Sequence, residues 1–293
     1  MSDWPKKPVR WIEDRVLHIS VPFTWNLPAV HDELAAGSLL WDRAVVGGPA
    51  VSLMPDFLIG ISNVAVGSDM PGVLQRVNPL ATRTTVGCVR RCKFCAIGTG
   101  AVEAGGFREL ADWPDLPILC DNNLLAASES HFERVVKRLV RWGHCDFNQG
   151  LDPRLLTIEH ARLLARVKRP MLRLALDSMA DREAWEHAFG LLRSAGIAKR
   201  NIRSYCLIAF SDSPDDAWRR CLWVERFGVK ALPMWFHRLD QLEHNALLDE
   251  QRALGWDHDQ RRRIMGWFYK HRGTPWSPVA ESTSPPVAGI ATA

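Results

Sequence analysis

Residues 116–150 read LPILCDNNLLAASESHFERVVKRLVRWGHCDFNQG. The apolar run Leu116–Cys120 has the length of a buried strand, and polar Asp121, Asn122 and Asn123 end it. A helix follows, because Phe132, Val135, Val136, Leu139 and Val140 recur at i, i+3, i+4, i+7 and i+8 and so share one face. Ser130 and Glu133 are spaced as a capping box at its start, and Gly143 closes it. A second strand around Asp146–Asn148 then leads into Gln149-Gly150. Strand, helix, strand within so few residues is the building unit of a parallel sheet.

The same alternation extends in both directions and gives six units in all. The first strand is Ala81–Val86, and the helix after the third carries Ile158, Ala161, Leu164 and Val167 on one side. The fourth strand, Leu172–Leu176, ends at Asp177 and Ser178, and its helix packs Trp185, Ala188, Phe189 and Leu192 before stopping at Gly196. The fifth, Arg203–Phe210, precedes a helix opened by Ser213, Pro214 and Asp216 and closed by Gly228. The sixth is Ala231–Phe236. Polar residues repeatedly follow the strands, on the face where alternating parallel folds bind ligands, though some serve simply as helix caps.

The chain has 293 residues and a mass of 33.1 kDa, room for one large domain and a smaller piece. Residues 1–75 read as a small α/β segment with strands at Val16–Phe23 and Ala44–Val46, a helix at Leu27–Ala36, and a break at Gly47-Gly48-Pro49. The remaining divisions are 76–240 for the six units, 241–273 for a helical basic segment, and 274–293 for a Pro/Ser/Thr/Ala-rich tail expected to be disordered. Hydrophobic residues make 47% and charged residues 24%, the balance of an ordinary globular chain. Neither a membrane span nor a signal peptide is evident, so a cytoplasmic location and no membrane partner are expected. The net charge is +4, yet Arg261, Arg262, Arg263, Lys270 and Arg272 alone supply +5, so the basicity is local.

The seven cysteines are an odd number, and three lie together in GCVRRCKFC directly after the first strand of the six. Cys88, Cys92 and Cys95 are spaced Cys-x3-Cys-x2-Cys, a pattern that favours a soft metal centre over disulfides. Structural zinc takes four protein ligands, often as two pairs, and no second pair exists here. A four-iron, four-sulfur (4Fe–4S) cube suits three cysteines better, because each ligates one iron and the fourth iron stays open. Cys120, Cys145, Cys206 and Cys221 are scattered and read as buried small hydrophobes, Cys120 ending a strand on the ligand side.

The run Thr84-Thr85-Val86-Gly87-Cys88 to Cys92-Lys93-Phe94-Cys95, set after the first of six strand–helix units, resembles the radical S-adenosylmethionine (radical SAM) superfamily. The likeness spans roughly residues 78–240 and implies a partial (β/α)6 TIM-like barrel, preceded by a small Rossmann-like α/β segment. In that family a 4Fe–4S cluster binds the amino and carboxylate groups of S-adenosyl-L-methionine. Reduction splits the sulfonium, and the 5′-deoxyadenosyl radical takes a hydrogen atom from substrate. The protein orients the cofactor and excludes side reactions.

The resemblance also assigns candidate residues. Phe94 matches the aromatic beside the adenine, or is a core phenylalanine under the loop. Where the family often has Gly-Gly-Glu near the methionine amino group, this chain has Asp121-Asn122-Asn123, whose oxygens can accept from an ammonium or cap a turn. Asp177 and Ser178 match the polar pair at the ribose or carboxylate, with a helix cap as the alternative for Asp177. Gln149 could face the same cavity. Pro233, Met234 and Trp235 fall where the family offers backbone contacts to adenine, and Trp235 could equally fill a barrel. The first 75 residues resemble a shortened version of the domain that precedes the barrel in cobalamin-binding members. The motif Asp-x-His-x-x-Gly is absent and His31 reads as a surface residue, so no cobalamin is expected.

An electron donor such as flavodoxin or ferredoxin is the implied partner. Arg261–Arg263, with Trp267, Phe268 and Tyr269, mixes cations and aromatics as phosphate and base contacts do, which makes a nucleoside or nucleic-acid base the leading substrate class. On a helix, Ile264, Trp267 and Phe268 would instead pack, with the arginines in water. A peptide or small metabolite is a second possibility. A non-enzymatic iron–sulfur or zinc protein in electron transfer or sensing is a third.

Overall fold

The computed structural model describes residues 4–67 and 72–270, so the expected disordered tail lies outside the described residues. Its first unit is a four-stranded sheet. β1 (Val9–Glu13) pairs antiparallel with β2 (Val16–Ser20). The turn between them is Asp14-Arg15, both at positive φ, so β1 escapes a sequence reading that looks for Asn-Gly or Asp-Gly at a hairpin. α1 (Leu27–Ala36) crosses to β3 (Arg43–Gly47), and α2 (Pro49–Leu53) leads on to β4 (Val64–Val66), with β2, β3 and β4 parallel. α1 occupies the predicted residues, and the strand predicted to end at Phe23 stops at Ser20.

After α3 (Val73–Val77) the six-stranded sheet begins. Its strands are β5 (Ala81–Thr82), β8 (Ile118–Leu119), β9 (His144–Phe147), β10 (Arg169–Ala175), β11 (Ile202–Ile208) and β12 (Lys230–Trp235). All pairs are parallel, and the strands lie in chain order with β5 and β12 at the two edges. A short antiparallel ribbon, β6 (Thr85–Val86) with β7 (Arg108–Glu109), branches off between β5 and β8. The expected single strand Ala81–Val86 is therefore two, because Thr84 and Thr85 turn their backbone amides away from the sheet onto Asp121.

α4 (Glu129–Trp142), α5 (Ile158–Leu164), α6 (Arg182–Ser194) and α7 (Pro214–Glu225) connect the strands. α8 (Asp249–Ala253) and α9 (His258–Lys270) follow β12. α4 buries Phe132, Val135, Val136 and Leu139 as its periodicity requires. Its cap differs from the prediction: Ser128, not Ser130, accepts from the His131 amide at 3.3 Å. Glu109 takes the role foreseen for Glu133, accepting from the Ser128 amide at 2.6 Å. At α7 Ser213 caps the helix as expected, and it goes further by forming a capping box, with Ser213 Oγ accepting from the Asp216 amide and Asp216 accepting in return.

Alternation along the strands divides the sheet into two faces. Phe147, Leu172, Leu174, Cys206 and Ile208 join the main core with the helices, where Trp185 is fully buried and its indole N–H donates to Ser204 at 3.0 Å. Asp146, Arg173 and Tyr205 alternate with these residues. Arg173 forms an ion pair with Asp146 and lies 5.7 Å from the Tyr205 ring. Ala81, Ile118 and Cys120 form a small separate cluster with Trp4 and Leu74. Cys120, Cys145, Cys206 and Cys221 are all buried, as expected of small hydrophobes.

α9 corrects the reading of the basic run. Ile264 and Phe268 are buried as an amphipathic helix requires, but Arg261 is half-buried. It donates to Asn245 and sits 5.1 Å over the Trp235 ring. Arg262 pairs with Asp259 on its own helix. No described helix is long and apolar enough to cross a membrane.

The first unit meets the loop after β12. Thr24 Oγ1 donates to the Gln241 carbonyl at 2.5 Å, and the Trp25 ring lies 4.9 Å from His237 and 4.8 Å from His244. Burial, reinforced by Arg261 and His244, pushes His237 down from 6.5 to about 4. A base depressed on folding adds stability that is complete above its unfolded value and is lost as pH falls toward the folded one. We expect unfolding free energy to drop by about 2 kcal/mol between pH 6.5 and 4 on this account, after discounting for partial exposure. Urea unfolding of wild type and His237→Gln across that range checks it, the variant lacking this component.

Candidate functional site

The three cysteines lie on the loop that leaves β6, each half-buried. Two glycines shape the loop. Gly87 has φ +77°, and a Cβ there would collide with the Gly106 carbonyl. Gly98 folds back on the loop so closely that a Cβ would stand 2.5 Å from the Cys92 nitrogen and 2.6 Å from its oxygen.

Carboxylates fasten the loop at three places. Asp121, buried just after β8, accepts through one oxygen from the Thr84 amide at 2.7 Å, the Thr85 amide at 2.5 Å, and both threonine hydroxyls. Glu103 accepts from the Gly87 amide at 2.6 Å and from Asn122 Nδ2 at 2.9 Å, and pairs with Arg83. Asp152, beyond β9, accepts from Arg90 Nε at 2.7 Å and from Arg154 Nε at 2.7 Å. Burial alone would raise the Asp152 carboxyl, but Arg154 and Arg90 together hold it below the usual carboxylate range.

These contacts set the surroundings of the thiols. Burial pushes the Cys92 thiol up, and the neighbouring charges of Cys95, Asp177 and Cys88 add to that while Arg154 opposes it. The three cysteines, Arg154 and Asp177 therefore share one neighbourhood. Cys88 Sγ accepts from the Arg90 amide at 3.3 Å and from Asn123 Nδ2 at 3.8 Å. The Asn123 side-chain oxygen is buried without a hydrogen-bond partner among the described residues. Among the described residues, no three His, Cys, Asp or Glu side chains converge as ligands of a single metal ion.

The candidates divide accordingly. Phe94 meets Phe210 edge-on at 5.4 Å, and Phe210 meets Phe236 at 4.9 Å, so an aromatic row runs from the cysteine loop across the ends of β11 and β12. Asn122 and Asn123 are at the loop, each on a carboxylate. Asp177 is near Cys92 and accepts from the Leu207 amide at 3.2 Å, while burial pushes its carboxyl up. Ser178 is exposed and caps the turn after β10, accepting from the Ala180 amide at 3.2 Å. Gln149 is exposed at the end of β9.

The Trp235 side chain packs edge-on against Trp256 at 5.1 Å in the main core, under Arg261, so only the backbone of β12 is left for the adenine contacts that the resemblance implies. Strand alternation puts Met234 on the opposite face, exposed. His31 is half-exposed against Phe57, as a surface histidine should be.

Glu103, Asp152, Arg154, Phe210 and Phe236 escaped the sequence reading. Only Asp152 carried a signal, standing before Pro153 just past a strand, where an acidic residue caps a turn. Compared with protein-family models and with curated proteins, the chain matches none.

Proposed function

We propose that the chain is a radical SAM enzyme, with Cys88, Cys92 and Cys95 as ligands of a 4Fe–4S cluster and the six parallel strands as a partial (β/α)6 barrel around the cofactor. The observation that carries the reading is the unpartnered, buried side-chain oxygen of Asn123 beside Cys88. A buried acceptor without a donor is costly, and an ammonium group delivered there would satisfy it. The donor set fits a cube better than one structural zinc by its count: three cysteines are one short of four ligands, and a cube assigns each cysteine a different iron.

The cluster, when bound, would supply the electron that cleaves S-adenosylmethionine to a hydrogen-abstracting radical. The chain's own part is positional. Asn123 offers its oxygen to the amino group, and the Arg90 amide and Asn123 Nδ2 direct N–H groups at the Cys88 sulfur. Arg154 brings a positive charge that opposes the upward push on the Cys92 thiol and so favours its ligating form. Phe94, on Phe210, offers an apolar surface to an adenine ring. Arg261 is engaged within the chain, on Asn245 and over Trp235, which takes one cation from the run that suggested a nucleobase, while Arg262 stays exposed on the helix surface.

The test is anaerobic reconstitution with iron and sulfide, then dithionite and S-adenosylmethionine. Wild type is expected to release 5′-deoxyadenosine and Cys92→Ala to fall at least a hundredfold below it. A fully loaded wild type that releases none would overturn the reading in favour of electron transfer or sensing.

A further inference from the structure

We propose that Asp152 is a positioning residue that fixes the amide orientation of Asn123, and so decides which of its two ends faces the cofactor's amino group. The inference rests on the function proposed above.

A carboxylate can only accept hydrogen bonds, whereas an amide has one accepting and one donating end. Asp152 Oδ2 lies 3.5 Å from Asn123 Nδ2, and the same nitrogen lies 3.8 Å from Cys88 Sγ, which also accepts from the Arg90 amide. Two acceptors on one side compel the amide to turn its nitrogen toward them. The oxygen must then point the other way, and it is this oxygen that is buried without a partner. Were the amide reversed, its oxygen would meet a carboxylate and a sulfur, and its nitrogen would repel an ammonium.

Asp152 is suited to the task because it cannot easily move or protonate. It is buried, and two arginines from different segments hold it: Arg90 from the cysteine loop and Arg154, whose Nε and backbone amide both donate to Oδ1. Holding an orienting carboxylate rigid is how second partners tune a ligand group they do not touch. Asn122 shows the same arrangement independently, its Nδ2 held by Glu103 at 2.9 Å.

The experiment measures equilibrium binding of S-adenosylmethionine and of 5′-methylthioadenosine, which lacks the amino-acid moiety, to anaerobically reconstituted protein, with iron counted in every sample. Asp152→Asn is expected to keep wild-type iron, to bind S-adenosylmethionine about tenfold more weakly, and to bind methylthioadenosine unchanged, with Asp152→Glu recovering most of the loss. Asn123→Ala should show the same selective loss, and the double variant no further loss. Exchange of the pair gives a second arm should Asp152→Asn fold poorly: Asn123→Asp with Asp152→Asn restores a donor facing an acceptor, and should bind better than Asn123→Asp alone. Equal weakening of both ligands, additive losses, or no gain from the exchange would each overturn the positioning role. A wild type that takes up no iron would instead overturn the function on which it rests.

Discussion

An Asp121→Ala protein is expected to lose on the order of 4 kcal/mol of unfolding free energy. One oxygen of this carboxylate accepts from two backbone amides and two hydroxyls, and Thr84 and Thr85 are fully buried. Alanine leaves both amides and the Thr85 hydroxyl without this acceptor, while the Thr84 hydroxyl keeps its contact with His131 Nε2. Each stranded buried donor costs about 1–3 kcal/mol, and the hydroxyls recover part by rotating. Asp121→Asn separates the acceptor from the charge. Burial pushes the Asp121 carboxyl up and its second oxygen has no partner, so a neutral amide that keeps the first oxygen should cost about 1 kcal/mol or less. Urea unfolding of both variants decides: if Asn costs as much as Ala, the accepting oxygen is not what Asp121 contributes.

Gly98→Ala is the second change with a large expected consequence, and it acts on the site rather than the fold. The new methyl group would stand 2.5 Å from the Cys92 nitrogen, a backbone atom that cannot swing aside as a side chain can. Cys92 must move, and with it the middle one of three thiols. We expect iron taken up per chain to fall about tenfold while the far-ultraviolet circular dichroism is unchanged. Gly105→Ala is the control, since a Cβ there meets nothing within 4 Å. Alkylation of Cys92 in the metal-free chain reads the same displacement without any cluster, and wild-type alkylation together with wild-type iron would show that the loop absorbs the methyl group.

The sequence makes the helices legible because their signals are local. The stripe of α4, the cap at Ser213 and the glycine stop at Gly143 all lie within a few residues of what they specify. The three cysteines are legible as a group for the same reason. What stays hidden depends on partners far along the chain. The split of the first strand is caused by Asp121, 36 and 37 residues on, and Arg90 finds Asp152 at a separation of 62. Trp235 shows a different limit: which side of β12 faces the helices turns on a one-residue register that an apolar run does not specify. Arg261 was misread because a cation over an indole in the core and a cation in water have the same sequence.

The strand order has a kinetic side. Each strand of the six pairs with the next one in the chain, so the sheet can grow by short loop closures, one unit on the last. The contact between Thr24 and Gln241 joins residues 217 apart and brings the unit that precedes β5 onto the loop that follows β12. It ties the first unit to the side of the sheet that ends in β12. Closing so long a loop is the step with most entropy to overcome, so this seam should form last in refolding and open first under mild denaturant. Amide exchange near Gln241 and in the first sheet would then rise together, well before β9, β10 and β11 lose their protection.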